Sequence, residues 1–198
     1  MKNIIFDIGN VLLRFQPHDY LSQFYNPDTV QQLMTIIFAS PEWIELDKGT
    51  MMIEDVIGIL TNRYPQYHDE IVFVLNHWTD MMTPIEKNVK LAYQLKDKGY
   101  ALYLLSNFHT EAIKTVFDKY EFFKIFDGQM ISAHVHLIKP DYQLYQLLLD
   151  KYALLPQESV FIDDSPANVK ASIDLGITGI VLPYLDDLEE KLIALQIL

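Results

Sequence analysis

Four short apolar runs, each stopping at a polar residue or a proline, constrain this chain more than any other feature. Asn3 to Phe6 ends at Asp7, and Leu102 to Leu105 ends at Ser106-Asn107. Val160 to Ile162 ends at Asp163-Asp164, and Gly179 to Leu182 ends at Pro183. Runs of that length, rich in Leu, Ile and Val, read as strands buried on both faces. Gln129-Met130-Ile131 is a weaker strand of the same kind. Helical stretches lie between them. Thr83-Pro84-Ile85-Glu86 has the form of a capping box with proline at the first helical position; Val89, Ala92 and Leu95 then repeat at helical spacing, and Gly99 closes the helix. Lys139-Pro140 opens another helix, with Leu144, Leu147 and Leu148 on one face. Ser165-Pro166 opens a third, which ends at Gly176. From Thr83 onward helix and strand alternate without interruption. The expected fold class is therefore α/β, a parallel sheet with helices on both faces and right-handed crossovers.

The stretch from about Phe15 to Met82 has another character. Val30, Leu33, Met34 and Ile37 recur at helical spacing, as do Ile53, Val56, Ile57 and Leu60, with turn signals at Asn26-Pro27, Ser40-Pro41, Lys48-Gly49 and Tyr64-Pro65. No strand is evident there, so this stretch is expected to be an all-helical insertion after the first strand. Composition narrows the functions available to such a chain. Half of its 198 residues are apolar, enough for a well-filled core. A net charge of −12 with no basic run weighs against nucleic-acid or anionic-membrane partners. The absence of cysteine excludes disulfides, thiolate nucleophiles and Cys-ligated zinc. The first apolar stretch is broken by Asp7, so it is not a signal peptide, and no run approaches a membrane span. A soluble, cytoplasmic protein is expected, with monomer and dimer equally open.

In an open parallel sheet, ligands bind at the carboxyl ends of the strands. Asp7, Ser106-Asn107, Lys139 and Asp163-Asp164 all fall there. Taken singly, each is an ordinary turn or helix cap. Together they have the chemistry of phosphoryl transfer. A carboxylate can attack phosphorus, a second can help hold Mg²⁺, and a hydroxyl, an amide and an ammonium can bind the phosphoryl oxygens as charge builds on them.

These residues also resemble a known family. Phe6-Asp7-Ile8-Gly9-Asn10-Val11-Leu12 looks like the first motif of the haloacid dehalogenase superfamily, and Leu104-Leu105-Ser106-Asn107 resembles the second. Lys139-Pro140 resembles the third, and Phe161-Ile162-Asp163-Asp164-Ser165 with Asn168 the fourth. The resemblance implies a Rossmann-like core over residues 1–14 and 84–198, with residues 15–83 as a helical cap. It implies a Mg²⁺-dependent phosphatase acting on a small phosphorylated metabolite. Asp7 would be nucleophile and metal ligand, with the Gly9 carbonyl and Asp164 as further ligands and Asp163 beside them, directly or through water. Lys139 would neutralise charge on Asp7 and the phosphate. Ser106, Asn107 through its backbone amide, and Asn10 would serve the substrate. The Asp-x-Gly-Asn form is similar to a bacterial group of sugar-phosphate phosphatases and to relatives of the epoxide hydrolase N-terminal domain, so a sugar phosphate is the first expectation.

The first motif departs from the family's usual pattern at one position. Phosphatases of this type usually carry an Asp two residues after the nucleophile as general acid and base; here that residue is Gly9. Loss of a positioned acid typically costs about 10² to 10⁴ in rate. Asn10 through water, His18, His109 or a cap side chain are the candidate substitutes. Trp43, Asp47 and Lys48, near a turn of the insertion, could reach inward. Two other readings stand beside the phosphatase: a weakly active or non-catalytic binding protein, and a metal-free 2-haloacid dehalogenase-like hydrolase. Against the latter, Asp163-Asp164 facing Asp7 would repel without a cation between them.

Overall fold

A computed structural model describes residues 1–183 and 187–198. Its centre is a five-stranded parallel sheet in the order β5-β4-β1-β6-β7. The strands are β1 (Asn3–Phe6), β4 (Ala101–Ser106), β5 (Gly128–Ile131), β6 (Ser159–Asp163) and β7 (Thr178–Val181). All five strands expected from the sequence are present to within a residue or two. Side chains alternate across the sheet. Ile4, Phe6, Leu102, Leu104, Val160 and Ile162 enter one core, which α6 (Glu86–Asp97), α7 (Thr110–Lys119) and α10 (Leu188–Ala194) help to fill. Ile5, Tyr103, Leu105 and Phe161 enter a second core under α8 (Tyr142–Tyr152) and α9 (Pro166–Asp174). With both faces covered, β1 is buried throughout, which is why its sequence shows no polar alternation.

The insertion holds α1 (Pro17–Leu21), α2 (Pro27–Leu33), α3 (Pro41–Lys48), α4 (Ile53–Arg63) and α5 (His68–His77), with a π-helical turn at Met34–Phe38 extending α2. The turn signals act as caps. Asn26 and Ser40 accept the Thr29 and Trp43 amides at 3.0 and 3.1 Å. Gly49 ends α3 at φ 68°, and a Cβ there would come within 2.4 Å of the Ala133 carbonyl oxygen. Only glycine permits both that backbone conformation and that approach. Two further bonds hold the end of α3 to the loop after β5: Ser132 Oγ donates to the Asp47 carbonyl, and His136 Nδ1 lies 2.9 Å from the Lys48 carbonyl.

Three sequence expectations need correction. The insertion is flanked by a two-stranded antiparallel ribbon, β2 (Leu13–Phe15) on β3 (Met82–Pro84). Thr83 and Pro84 therefore belong to a strand. α6 begins at Glu86 after Ile85, and no capping box forms, because the ladder takes the backbone that a cap would need. α8 begins at Tyr142 rather than at the Lys139-Pro140 cis peptide. Asp141 is the better cap, its carboxylate accepting the Gln143 amide at 2.9 Å. Leu147, expected on the buried face of α8, is exposed, whereas Leu144 and Leu148 are buried. No helix among the described residues is long and apolar enough to cross a membrane.

Candidate active site

β1 pairs in parallel with both β4 and β6, so the carboxyl ends of all three lie side by side. That register brings Asp7, Ser106 and Asp163 together. Asp7 extends the ladder by one step, its amide donating to the Ile162 carbonyl at 2.9 Å. Lys139 arrives on the loop after β5, where the Asn107 amide clamps its backbone. Asn107 Oδ1 accepts from the Lys139 amide at 2.8 Å, and Asn107 Nδ2 donates to the Lys139 carbonyl at 3.2 Å.

Lys139 Nζ lies 2.9 Å from Asp7 Oδ1 and 2.6 Å from Asp163 Oδ2, with its side chain 1% exposed. Burial works against the ammonium, but the two carboxylates outweigh it and hold its pKa above the ordinary lysine value. Burial pushes the Asp7 carboxyl up to about 7; Lys139 opposes the shift and Asp163 adds to it. Burial also raises Asp164, which the Asn10 amide partly offsets. One cation among three carboxylates leaves uncompensated charge in a desolvated place, which is costly. Asp7, Asp163 and Asp164 each offer an oxygen, and the three oxygens lie within 4.8 Å of one another. A hard-oxygen cluster with excess negative charge fits the demands of Mg²⁺.

The two acids of the fourth motif stand in different surroundings. Asp163 is saturated by protein donors: Oδ1 accepts from the Ser165 amide and Asn168 Nδ2 at 2.8 and 3.0 Å, and Oδ2 accepts from Lys139 and Asn168. Asp164 lines a cavity of about 170 Å³ that also touches Asp7, Gly9, Ser106 and Asn107. Asn10 sits at φ 53°, where its Nδ2 donates to Asp164 Oδ2 and its Oδ1 accepts the Phe15 amide, both at 3.1 Å. This residue, expected to serve the substrate, lines the cavity but has both ends of its amide engaged in orienting Asp164 and the turn. A Cβ built on Gly9 would meet nothing within 4 Å.

The cavity has aromatic walls that the strand-end pattern did not reveal. Phe15 stacks on Trp43 at 6.3 Å and 17°, and Trp78 packs against Trp43 at 5.2 Å and against Phe108 at 5.4 Å. Asp47 lines the same cavity, one helical turn after Trp43. That i, i+4 spacing just ahead of the Lys48-Gly49 turn was the available signal. Lys48 instead pairs with Glu45 at 3.1 Å. His18 is exposed beside Asp19 and does not line the cavity. His109 is 2% exposed and sits between the Trp43 and Trp78 rings.

Residues 4–182 match the haloacid dehalogenase-like hydrolase family. The chain belongs to that family. Proteins similar to it include the sesquiterpene phosphatase astK of Aspergillus oryzae, 26% identical over 91% of this chain and 89% of that protein. The phosphoglycolate phosphatase of Haemophilus influenzae is 22% identical over 92% of this chain and 86% of its own length. A haloacid dehalogenase family enzyme of Bacteroides thetaiotaomicron, crystallised as a mutant with magnesium and inorganic phosphate, superposes with a TM-score of 0.76. That structure is 19% identical and covers 96% of this chain and 98% of its own, a likeness of fold. The chain is a hydrolase of this family, with the family's parallel-sheet core.

Proposed function

We propose that this hydrolase is a Mg²⁺-dependent phosphatase, in which Asp7 attacks a phosphomonoester and the resulting aspartyl-phosphate is cleaved by water. The observation that carries the reading is the buried Lys139 ammonium held between Asp7 and Asp163, with Asp164 completing an acidic cluster beside a cavity. Asp7 Oδ1 is already engaged by Lys139 and by the Ile8 amide at 2.7 Å, which fixes the carboxylate and leaves Oδ2 as the attacking atom. Ser106 favours the charged form of the Asp7 carboxylate, and its hydroxyl and the Asn107 amide bind phosphoryl oxygens. Asp163 holds Lys139 in place, and Asn10 orients Asp164. When bound by Asp7, the Gly9 carbonyl and Asp164, with Asp163 beside them, Mg²⁺ supplies positive charge against the phosphoryl oxygens.

Residues 15–83 act as the cap, closing over the phosphate and selecting the organic group. A sugar phosphate was the first expectation, and it rests on resemblance alone. Phe15, Trp43, Trp78 and Phe108 offer hydroxyl groups little to bond, since the polar lining other than Asp47 consists of groups given to metal, nucleophile and phosphate. The walls favour a phosphate ester with an apolar or aromatic organic part, in keeping with the name of the Aspergillus relative. Three carboxylates around one lysine weigh against the metal-free dehalogenase reading.

The test is phosphate release from sugar phosphates, benzyl and prenyl monophosphates and p-nitrophenyl phosphate, with Mg²⁺ and with EDTA. Turnover is expected with Mg²⁺ only, higher for the apolar esters, and lowered by Asp7→Asn on the order of 10⁴-fold. Phosphate release that survives in Asp7→Asn would remove Asp7 as nucleophile. Metal-independent chloride release from a 2-chloroacid would favour the dehalogenase.

A further inference from the structure

The alcohol of an alkyl phosphate cannot leave as a bare alkoxide at useful speed; its oxygen needs a proton as the P–O bond breaks. Gly9 has no side chain to give one, and Asn10 is an amide with both ends engaged. The wall of the cavity contributed by the insertion holds one titratable group, Asp47.

We propose that Asp47 is the general acid and base of this enzyme, with His109 as its positioning partner, the pair taking the place of the acid that Gly9 cannot provide. The inference rests on the phosphatase reading of the same site. Its basis is geometric. Asp47 and Asp7 line one cavity, and no hydrogen bond or ion pair among the described residues joins Asp47 to Asp7, Asp163 or Asp164. Its backbone is fixed from the sheet side by Ser132, whose hydroxyl donates to the Asp47 carbonyl and accepts the Phe108 amide at 2.9 Å. Its carboxylate faces His109, with Oδ1 at 3.4 Å from Nε2.

That imidazole is otherwise hard to explain. Neither ring nitrogen has a hydrogen-bond partner, although both are buried. A buried polar atom left so is costly, so an unsatisfied pair of nitrogens in an aromatic cage calls for a function. Facing the Asp47 carboxyl, a neutral imidazole can accept its proton or offer its own, and a modest rotation of either side chain makes that bond. Burial pushes the His109 imidazole down to about 3. Burial and the negative charge of Asp7 push the Asp47 carboxyl up to about 7, with Lys139 opposing. The pair thus keeps a proton on the carboxyl near neutrality, and an incoming phosphate dianion favours that form further.

The cycle balances. Asp7 attacks phosphorus, the bond to the ester oxygen breaks, and that oxygen takes the Asp47 proton and departs as the alcohol. Asp47, now a carboxylate, removes a proton from water as the water oxygen bonds to phosphorus. The acyl-phosphate bond breaks, inorganic phosphate leaves, and Asp7 is again a carboxylate with Asp47 protonated.

The experiment compares wild type with Asp47→Asn on two aromatic esters of different leaving group, 2-phenylethyl phosphate and p-nitrophenyl phosphate, at saturating Mg²⁺. For Asp47→Asn, kcat/KM on the alkyl ester is expected to fall by about 10² to 10⁴. On p-nitrophenyl phosphate, whose leaving group needs no proton, kcat/KM should stay within about tenfold. Its steady state should slow behind a burst of nitrophenolate as the aspartyl-phosphate accumulates. His109→Gln should show the same leaving-group pattern in weaker form. Equal losses on both esters, or none, would overturn the inference and leave the phosphatase reading standing. Should Asp47→Asn fail to fold, wild type decides: acid catalysis requires kcat/KM to depend only weakly on leaving-group basicity, and a steep dependence overturns it. No release from either ester by folded wild type overturns the phosphatase reading and this inference with it.

Discussion

Neutralising either partner of the Lys139–Asp7 pair should move stability in opposite directions, because the site carries more negative than positive charge. Lys139 is the buried counter-ion of Asp7 and Asp163. Lys139→Met leaves both carboxylates without it, and a broken buried pair typically costs about 3–5 kcal/mol. Asp7→Asn removes a carboxylate that the site already destabilises. Its folded pKa is raised above 3.8 to about 7, so the native state binds the extra proton between those values. Stability from that proton is fully present below about pH 3.8 and is lost as pH rises through about 7. In EDTA at pH 8, Asp7→Asn should therefore unfold at higher urea than wild type and Lys139→Met at lower urea. At pH 5 the advantage of Asp7→Asn should shrink. A lower urea midpoint for Asp7→Asn at pH 8 would mean that Lys139 compensates Asp7 fully, and that no charge is left for a metal to balance.

At the level of elements, the end of α3 ties the insertion to the sheet, and Gly49 is where the two backbones meet. Valine there would have to adopt φ near 68° and displace Ala133, whose carbonyl oxygen lies 2.4 Å from the Cβ position. Strain of the two kinds together suggests a loss of about 2–4 kcal/mol for Gly49→Val by urea denaturation. Because Asp47 is two residues away, the same variant should lose more kcat/KM on the alkyl ester than on p-nitrophenyl phosphate. The parallel sheet was legible because Ile4-Ile5-Phe6 and Val160-Phe161-Ile162 are buried on both faces, and the strand-end cluster followed from it. The β2–β3 ribbon was not, since three-residue strands such as Leu13–Phe15 carry too little alternation to announce themselves. Pro84 imitated a helix start while sitting at the end of β3. Trp43 and Asp47 were legible as residues that could reach inward, whereas the other aromatic walls, Phe15, Trp78 and Phe108, were missed for another reason. Phe15 and Trp78 come from the insertion and Phe108 from the turn after β4, and they meet around Asp7 only through tertiary docking, which hydrophobic periodicity does not encode.

Over the whole molecule, the charge of −12 sets a field that the phosphate dianion of the proposed substrate must cross. The site does not reverse that field by itself, since Asp7, Asp163 and Asp164 outnumber Lys139 there. A divalent cation with the lysine brings the cluster close to balance and no further. Association of the dianion should then be slowed by repulsion, and salt should relieve it, because screening shortens the reach of exposed charges to about 10 Å at 0.1 M ionic strength. With Mg²⁺ saturating, kcat/KM for a phosphomonoester is expected to rise about two- to threefold from about 10 to 150 mM NaCl, while kcat stays level. An enzyme that steers its anion with a positive site would show the reverse, a kcat/KM that falls with salt. A fall would place the metal-loaded cavity at positive potential despite the acidic surface. The rise expected here instead assigns recognition to short-range contacts, with Lys139 and the Ser106-Asn107 turn binding the phosphoryl group once the apolar walls have taken up the rest of the ester.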